Sequence, residues 1–234
     1  MAYIYEHIRT QGFEPMHFEE HYTRLDTLAR SLFLAPLAVA REELQKRVAE
    51  CLRNADCSPC VTNAVCVRYY ADGKLEVEVA EMWYDSFSLR ALRPQGYLCR
   101  VSGELLLQNT SAKEALIELN RTTAQMTDEG VAVWVDEQGE ILAIDGVSVI
   151  AVFEDEIRFS RLGAGVEFEL AYRVATAMKR NVTRCAIMAD ELLQVKELLC
   201  VDYRGVTAIA GYNGHFYMDI LAEKIASKVA KEER

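Results

Sequence analysis

The run AVCVRYYADGKLEVEVAEMW, residues 64–83, most narrows what this chain can become. Two β-rich segments flank Asp72-Gly73, a dipeptide suited to the positive φ angles of a tight hairpin. Two further runs repeat the pattern. VAVWVDEQGEILAI turns across Glu137-Gln138-Gly139, and VSVIAVFEDEIRFS turns across Asp155. Hairpins mixed with separated helices predict an α+β fold, not a parallel βαβ series.

Residues 1 to about 90 read as a strand, a turn at Gly12, two helices and two strands. The helices are expected at 19–34, with Tyr22, Leu25, Leu28 and Ala29 on one side, and at 41–53, with Leu44, Val48, Cys51 and Leu52. LRPQGY, holding Pro94 and Gly96, is the expected boundary between domains 1–92 and 97–234. The second part opens with a strand near YLCRV. A helix follows, with Ser111 and Glu114 in capping-box spacing. It is expected to reach Met126, with Leu116, Leu119 and Thr123 on one face. Another helix follows Gly165, with Phe168, Ala171, Tyr172, Ala175 and Met178 at helical spacing. Short strands LLCV and VTAIAGY precede a terminal amphipathic helix, FYMDILAEKIASKVAKEER.

With 26 Lys and Arg against 36 Asp and Glu, the net charge is −10. Such a chain is repelled by nucleic acid and by anionic membranes. No apolar run approaches the ~20 residues that span a bilayer. MAYIYEHIR lacks the apolar core of a secretory signal, so a cytoplasmic location is expected. Seven cysteines is an odd count. Cys66, Cys99, Cys185 and Cys200 sit in apolar runs and read as buried small hydrophobes of a reducing compartment. Cys57 and Cys60 form a single C-x-x-C, half a zinc site, and a plain loop is the preferred reading.

Phosphate loops of the GxGxxG and GxxxxGK[ST] types are absent, as are G-x-S-x-G and H-E-x-x-H. His17 and His21 stand four apart, but the helix is expected to start between them. No metal site is expected, and His21 reads as an ordinary polar residue of the first turn. Two features remain. Arg24 lies early on a helix after a strand, where a guanidinium can grip a phosphate bidentately; a solvated surface arginine is the competing reading. Lys113 lies in the first turn of a helix, where the dipole disfavours its charged form and favours nucleophilic use. Its competing reading is a solvated lysine beside Glu114.

The order of elements then becomes recognisable. YEHIRTQGFEPMHFEEHYTRLDTLARSL resembles the opening of the class IV, fold-type IV PLP-dependent enzymes, which include branched-chain and D-amino-acid aminotransferases and aminodeoxychorismate lyase. Tyr5-Glu6-His7-Ile8-Arg9 stands in place of the family's F-E-t-I-R, and His21-Tyr22-Thr23-Arg24-Leu25 in place of H-l-x-R-L. The resemblance continues through GVAVWVDEQGEILAIDGVSVIAVFEDEIRFS and covers nearly the whole chain. It implies a two-domain fold-type IV (D-amino-acid aminotransferase-like) architecture and a pyridoxal 5'-phosphate (PLP) cofactor. It also implies amino-acid or amino-chorismate-like substrates and a homodimer, with the cofactor cleft between domains. In that scheme Lys113 is the Schiff-base lysine and Arg24 binds the cofactor phosphate, with Arg204 and Thr207 nearby. Tyr5 and Arg9 border the substrate.

The chain also departs from the pattern. The family's glutamate partner of the pyridine nitrogen falls at Ala143. Asp145, two residues on, shares that face if the strand is regular. Ser148 replaces an asparagine, and Tyr203 falls where the phosphate motif has threonine. Lys113 stands about one helical turn closer to VAVWV than usual, and a gapless alignment moves the lysine position to Asn109. The departures leave a second hypothesis open: an inactive member serving as a dimeric module for a small anion or a protein.

Overall fold

In the computed structural model, residues 1–102, 108–125, 130–178 and 180–232 are described, with the backbone alone at 123–125. The chain divides into two units, Met1–Ser86 with Gln108–Ala112, and Phe87–Leu107 with Lys113–Arg234. The first contains strands β1 (Tyr3–Gln11) and β2 (Glu14–Pro15), helices α1 (Phe18–Leu32) and α2 (Arg41–Asn54), and strands β3 (Thr62–Tyr70) and β4 (Leu75–Val79). Its sheet has the order β2-β1-β3-β4, antiparallel throughout. Side chains alternate along β1, so Ile4, Glu6 and Ile8 share one face while Tyr5, His7 and Arg9 share the other. Leu25, Leu28 and Ala29 of α1 and Leu44, Val48 and Leu52 of α2 join Ile4, Ile8, Val65 and Val67 in one core. The turn after β1 requires glycine. Gly12 has φ +58°, and a Cβ there would meet the Pro59 carbonyl oxygen at 2.5 Å.

The second unit begins with β5 (Ser88–Leu89), β6 (Gln95–Arg100), α3 (Ser111–Gln125, which joins this unit from Lys113 on), β7 (Gly130–Val135), β8 (Ile141–Ile144), β9 (Val149–Val152) and β10 (Glu156–Ser160). It continues through α4 (Val166–Ala177), β11 (Asn181–Cys185), β12 (Glu197–Asp202), β13 (Gly205–Ala208), β14 (Gly211–Tyr212), β15 (His215–Phe216) and α5 (Ile220–Glu232). Two sheets form, β11-β10-β9-β12-β13-β5 and β15-β14-β6-β7-β8. Val133, Ile141 and Ile144 of one share a core with Val149, Ala151 and Leu198 of the other. Helices α4 and α5 bury Phe168, Ala171, Leu221 and Ile225 on the larger sheet. On the smaller sheet, Leu116 and Ile117 of α3 pack against Trp134 and Ala143.

All three expected hairpins form, and the fold class is α+β as expected. The structure adds two parallel pairs joined by helices, β6–α3–β7 and β10–α4–β11. Asn213-Gly214, at φ 48° and 78°, closes β14 onto β15, so the terminal helix starts at Ile220 and not at Phe216. Met126 lies outside the described residues, as does the side chain of Thr123. Among the described residues no helix is long and apolar enough to cross a membrane.

Candidate functional site

The core face of β1 carries one carboxylate. Glu6 is only 3% exposed between Ile4 and Ile8, and burying a charge is costly unless it is paired and hydrogen-bonded. Three donors meet that need. His21 Nδ1 lies 2.9 Å and Arg24 Nε 3.2 Å from Oε1, and Asn109 Nδ2 donates to Oε2 at 3.2 Å. An ionised carboxylate only accepts, so His21 carries its proton on Nδ1. Burial pushes the Glu6 carboxyl up, but the charge of Arg24 and the hydrogen bond from His21 outweigh it and hold it down to about 2. His21 is therefore a buried partner of Glu6, correcting its reading as an ordinary first-turn residue. His17 sits outside the helix in a left-handed conformation at φ 49°.

Asn109 is tied to the same strand, its carbonyl accepting the Tyr5 N–H at 2.9 Å. Tyr5 and Arg9, buried at 4% and 2%, lie on the face of β1 opposite Glu6. Two signals for the Glu6 cluster stand in the sequence. Glu6 alternates with two isoleucines, and His21 precedes Leu25 and Leu28 by four and seven residues, on the buried face of α1.

In the second unit Lys113 is buried at 7% exposure on the first turn of α3. It packs on Gly146, where an added Cβ would come within 2.9 Å of Lys113 Cε. Asp145 and Gly146, at φ 47° and 76°, form a tight turn. Ile144 and Val147 close it by reciprocal backbone bonds of 2.9 and 2.8 Å. The strand ends at Ile144, so the turn, and not strand alternation, places Asp145. Asp145 accepts the Ala132 N–H at 3.1 Å, and burial pushes its carboxyl up. Ala143 is 3% exposed, opposite Trp134. Ser148 donates to the Ala164 carbonyl and accepts its N–H, tying the start of β9 to the loop before α4.

Arg204 turns back on Asp202, with Nε and Nη2 both donating to Oδ2. Burial works against its charge, and Asp202 more than compensates, pushing it above the ordinary guanidinium range. Thr207 is buried on β13 opposite Cys200, whose thiol burial pushes far up. Cys57 and Cys60 are free thiols, and no cluster of potential metal ligands occurs among the described residues.

By sequence, no protein-family model and no curated protein matches the chain. Solved structures do match its fold. One, from Legionella pneumophila and assigned provisionally as a 4-amino-4-deoxychorismate lyase, has a TM-score of 0.80 at 10% identity, over 99% of this chain and 91% of that one. A branched-chain aminotransferase from Thermoproteus uzoniensis, with norvaline, has a TM-score of 0.79 at 15% identity, over 97% of this chain and 84% of that one. A hypothetical aminotransferase from Mycobacterium tuberculosis, in its PLP-bound form, has a TM-score of 0.76 at 13% identity, over 99% of this chain and 89% of that one. The fold is that of the fold-type IV, class IV PLP-dependent enzymes.

Proposed function

We propose that the chain is a PLP-dependent enzyme of the class IV aminotransferase type, or an aminodeoxychorismate-type lyase, acting on an amino-acid substrate as a homodimer. Lys113 supports this reading most. A lysine is rarely buried without a task, and this one, at 7% exposure, heads a helix in the fold of PLP enzymes. Each unit offers a group whose chemistry suits PLP: in the second a buried primary amine for its aldehyde, and in the first a guanidinium anchored at Nε for its phosphate. At the ring nitrogen Ala143 offers no carboxylate, and the Asp145 carboxyl stands in the turn two residues on.

Bound PLP supplies an electron sink for bonds breaking at a substrate's α-carbon. In this reading Lys113 holds the aldehyde end and moves the proton at that carbon. Arg24 holds the phosphate, with Arg204 and Thr207 as further candidates. Tyr5 and Arg9 border the substrate. The inactive binding module is the second reading, favoured by Ala143.

The test is the visible absorption spectrum of the purified protein with added PLP, wild type against Lys113→Ala. A band in the wild type that the variant lacks, with borohydride fixing the cofactor to the peptide carrying Lys113, supports the enzyme. A band in both moves the role to another lysine. No band in either leaves the binding module.

A further inference from the structure

We propose that Glu6 is the positioning residue of a phosphate subsite on Arg24, fixing the guanidinium by its Nε so that the two terminal amino groups are left for the ligand. The first half is direct geometry, Nε to Glu6 Oε1 at 3.2 Å. The second follows from what remains. The Arg24 side chain is 30% exposed, and among the described residues its Nη1 and Nη2 make no hydrogen bond. That pair of amino groups matches two oxygens of a phosphate. An arginine left to itself samples many rotamers, and ordering it on a ligand costs conformational entropy. Glu6 removes that freedom beforehand. It is itself fixed, because His21 and Asn109 hold it from α1 and from the segment that bonds to β1. That the ligand is a phosphate, and that of PLP, rests on the function proposed above; the hold of Glu6 on Arg24 does not.

The charge of Glu6 opposes an incoming anion, so its removal has two effects of opposite sign. Glutamine at position 6 would present one acceptor and one amino group to three donors, so at least one donor loses its acceptor. Loss of positioning is the larger effect, and Glu6→Gln should weaken inorganic phosphate binding about tenfold.

Phosphate is titrated calorimetrically into the full chain, wild type, Glu6→Gln and Arg24→Gln. The expected order is wild type, then Glu6→Gln about tenfold weaker, with Arg24→Gln losing the site. PLP should follow the same order, while pyridoxal, which lacks the phosphate, should not respond to Glu6→Gln. Because a buried substitution can unfold the chain, the wild type also carries a test of its own. In an arginine-labelled NMR spectrum, the Nε–H of Arg24 should exchange slowly, with and without phosphate. The subsite is overturned if the wild type does not bind phosphate or if Glu6→Gln binds as tightly or more tightly. It is also overturned if that Nε–H exchanges as fast as those of exposed arginines. Phosphate binding that depends on Glu6, with no PLP band, would end the enzyme reading and leave the subsite. A PLP band indifferent to Glu6 would do the reverse.

Discussion

Glu6 ties the stability of the first unit to pH. Its carboxyl is held down from 4.5 to about 2. A depressed pKa contributes stability that is complete above the unfolded value, and it is lost as pH falls through the folded one. The window is therefore from about pH 4.5 down to 2, and the contribution near neutrality is of the order of 3 kcal/mol. Urea unfolding should show the wild type losing much of its margin over Glu6→Gln between about pH 7 and pH 3. An equal loss in both would show that other groups carry the acid sensitivity. This residue was only half legible in the sequence. The resemblance picks out Arg24, whereas the partner that fixes it is found by asking what a carboxylate does between two core isoleucines. Asn109 carries no local signal, because its bond to Glu6 spans 103 positions.

At the scale of elements, the turns carry most of what can be tested. Gly146→Ala forces a left-handed φ of 76° on alanine and brings Cβ within 2.8 Å of Ile117 Cδ1 and 2.9 Å of Lys113 Cε. Both contacts are ends of flexible side chains, so the chain should fold, destabilised by about 1–3 kcal/mol. For a protein of this size that lowers Tm by roughly 2–10 °C, and Lys113 must shift. Scanning calorimetry reads the first effect, and the PLP absorption band reads the second. Glu197 tests a helix end. Its carboxylate accepts the N–H groups of Leu221 and Ala222 at the start of α5, so Glu197→Ala should cost about 1–2 kcal/mol in urea unfolding. The hairpins read from Asp72-Gly73 and Gly139 form because sequence-local turn chemistry decides them. Asp145-Gly146 and Asn213-Gly214 carry the same signal, but each follows an apolar run that reads as continuous strand. The parallel pairs β6–β7 and β10–β11 were not legible, since crossover pairing is set by packing of α3 and α4 and not by adjacent residues.

For the whole molecule, fold and activity separate. The matched structures share 10–17% identity with a chain they cover over 97–100% of its length. Patterning and turn chemistry are enough to keep the fold, while the chemistry depends on a few side chains. The fold class and its hairpins were therefore legible in the sequence, the crossover pairs were not, and the candidate site was legible only as residues of suitable type. Ala143 stands where the resemblance puts the family's glutamate, and a bulk measurement asks whether the cofactor still binds. A ligand that binds only the native state stabilises it by about 2.7 kcal/mol at a hundredfold excess over Kd, which for this size is a rise in Tm of roughly 5–10 °C. PLP should produce such a rise in the wild type. Lys113→Ala should keep part of it, because the phosphate grip is a separate contact. Arg24→Gln should keep less of it than pyridoxal alone would give the wild type. If PLP and inorganic phosphate both leave the wild-type Tm unmoved, the cofactor reading falls and the phosphate subsite with it. The chain would then keep the scaffold of a PLP enzyme without its ligand.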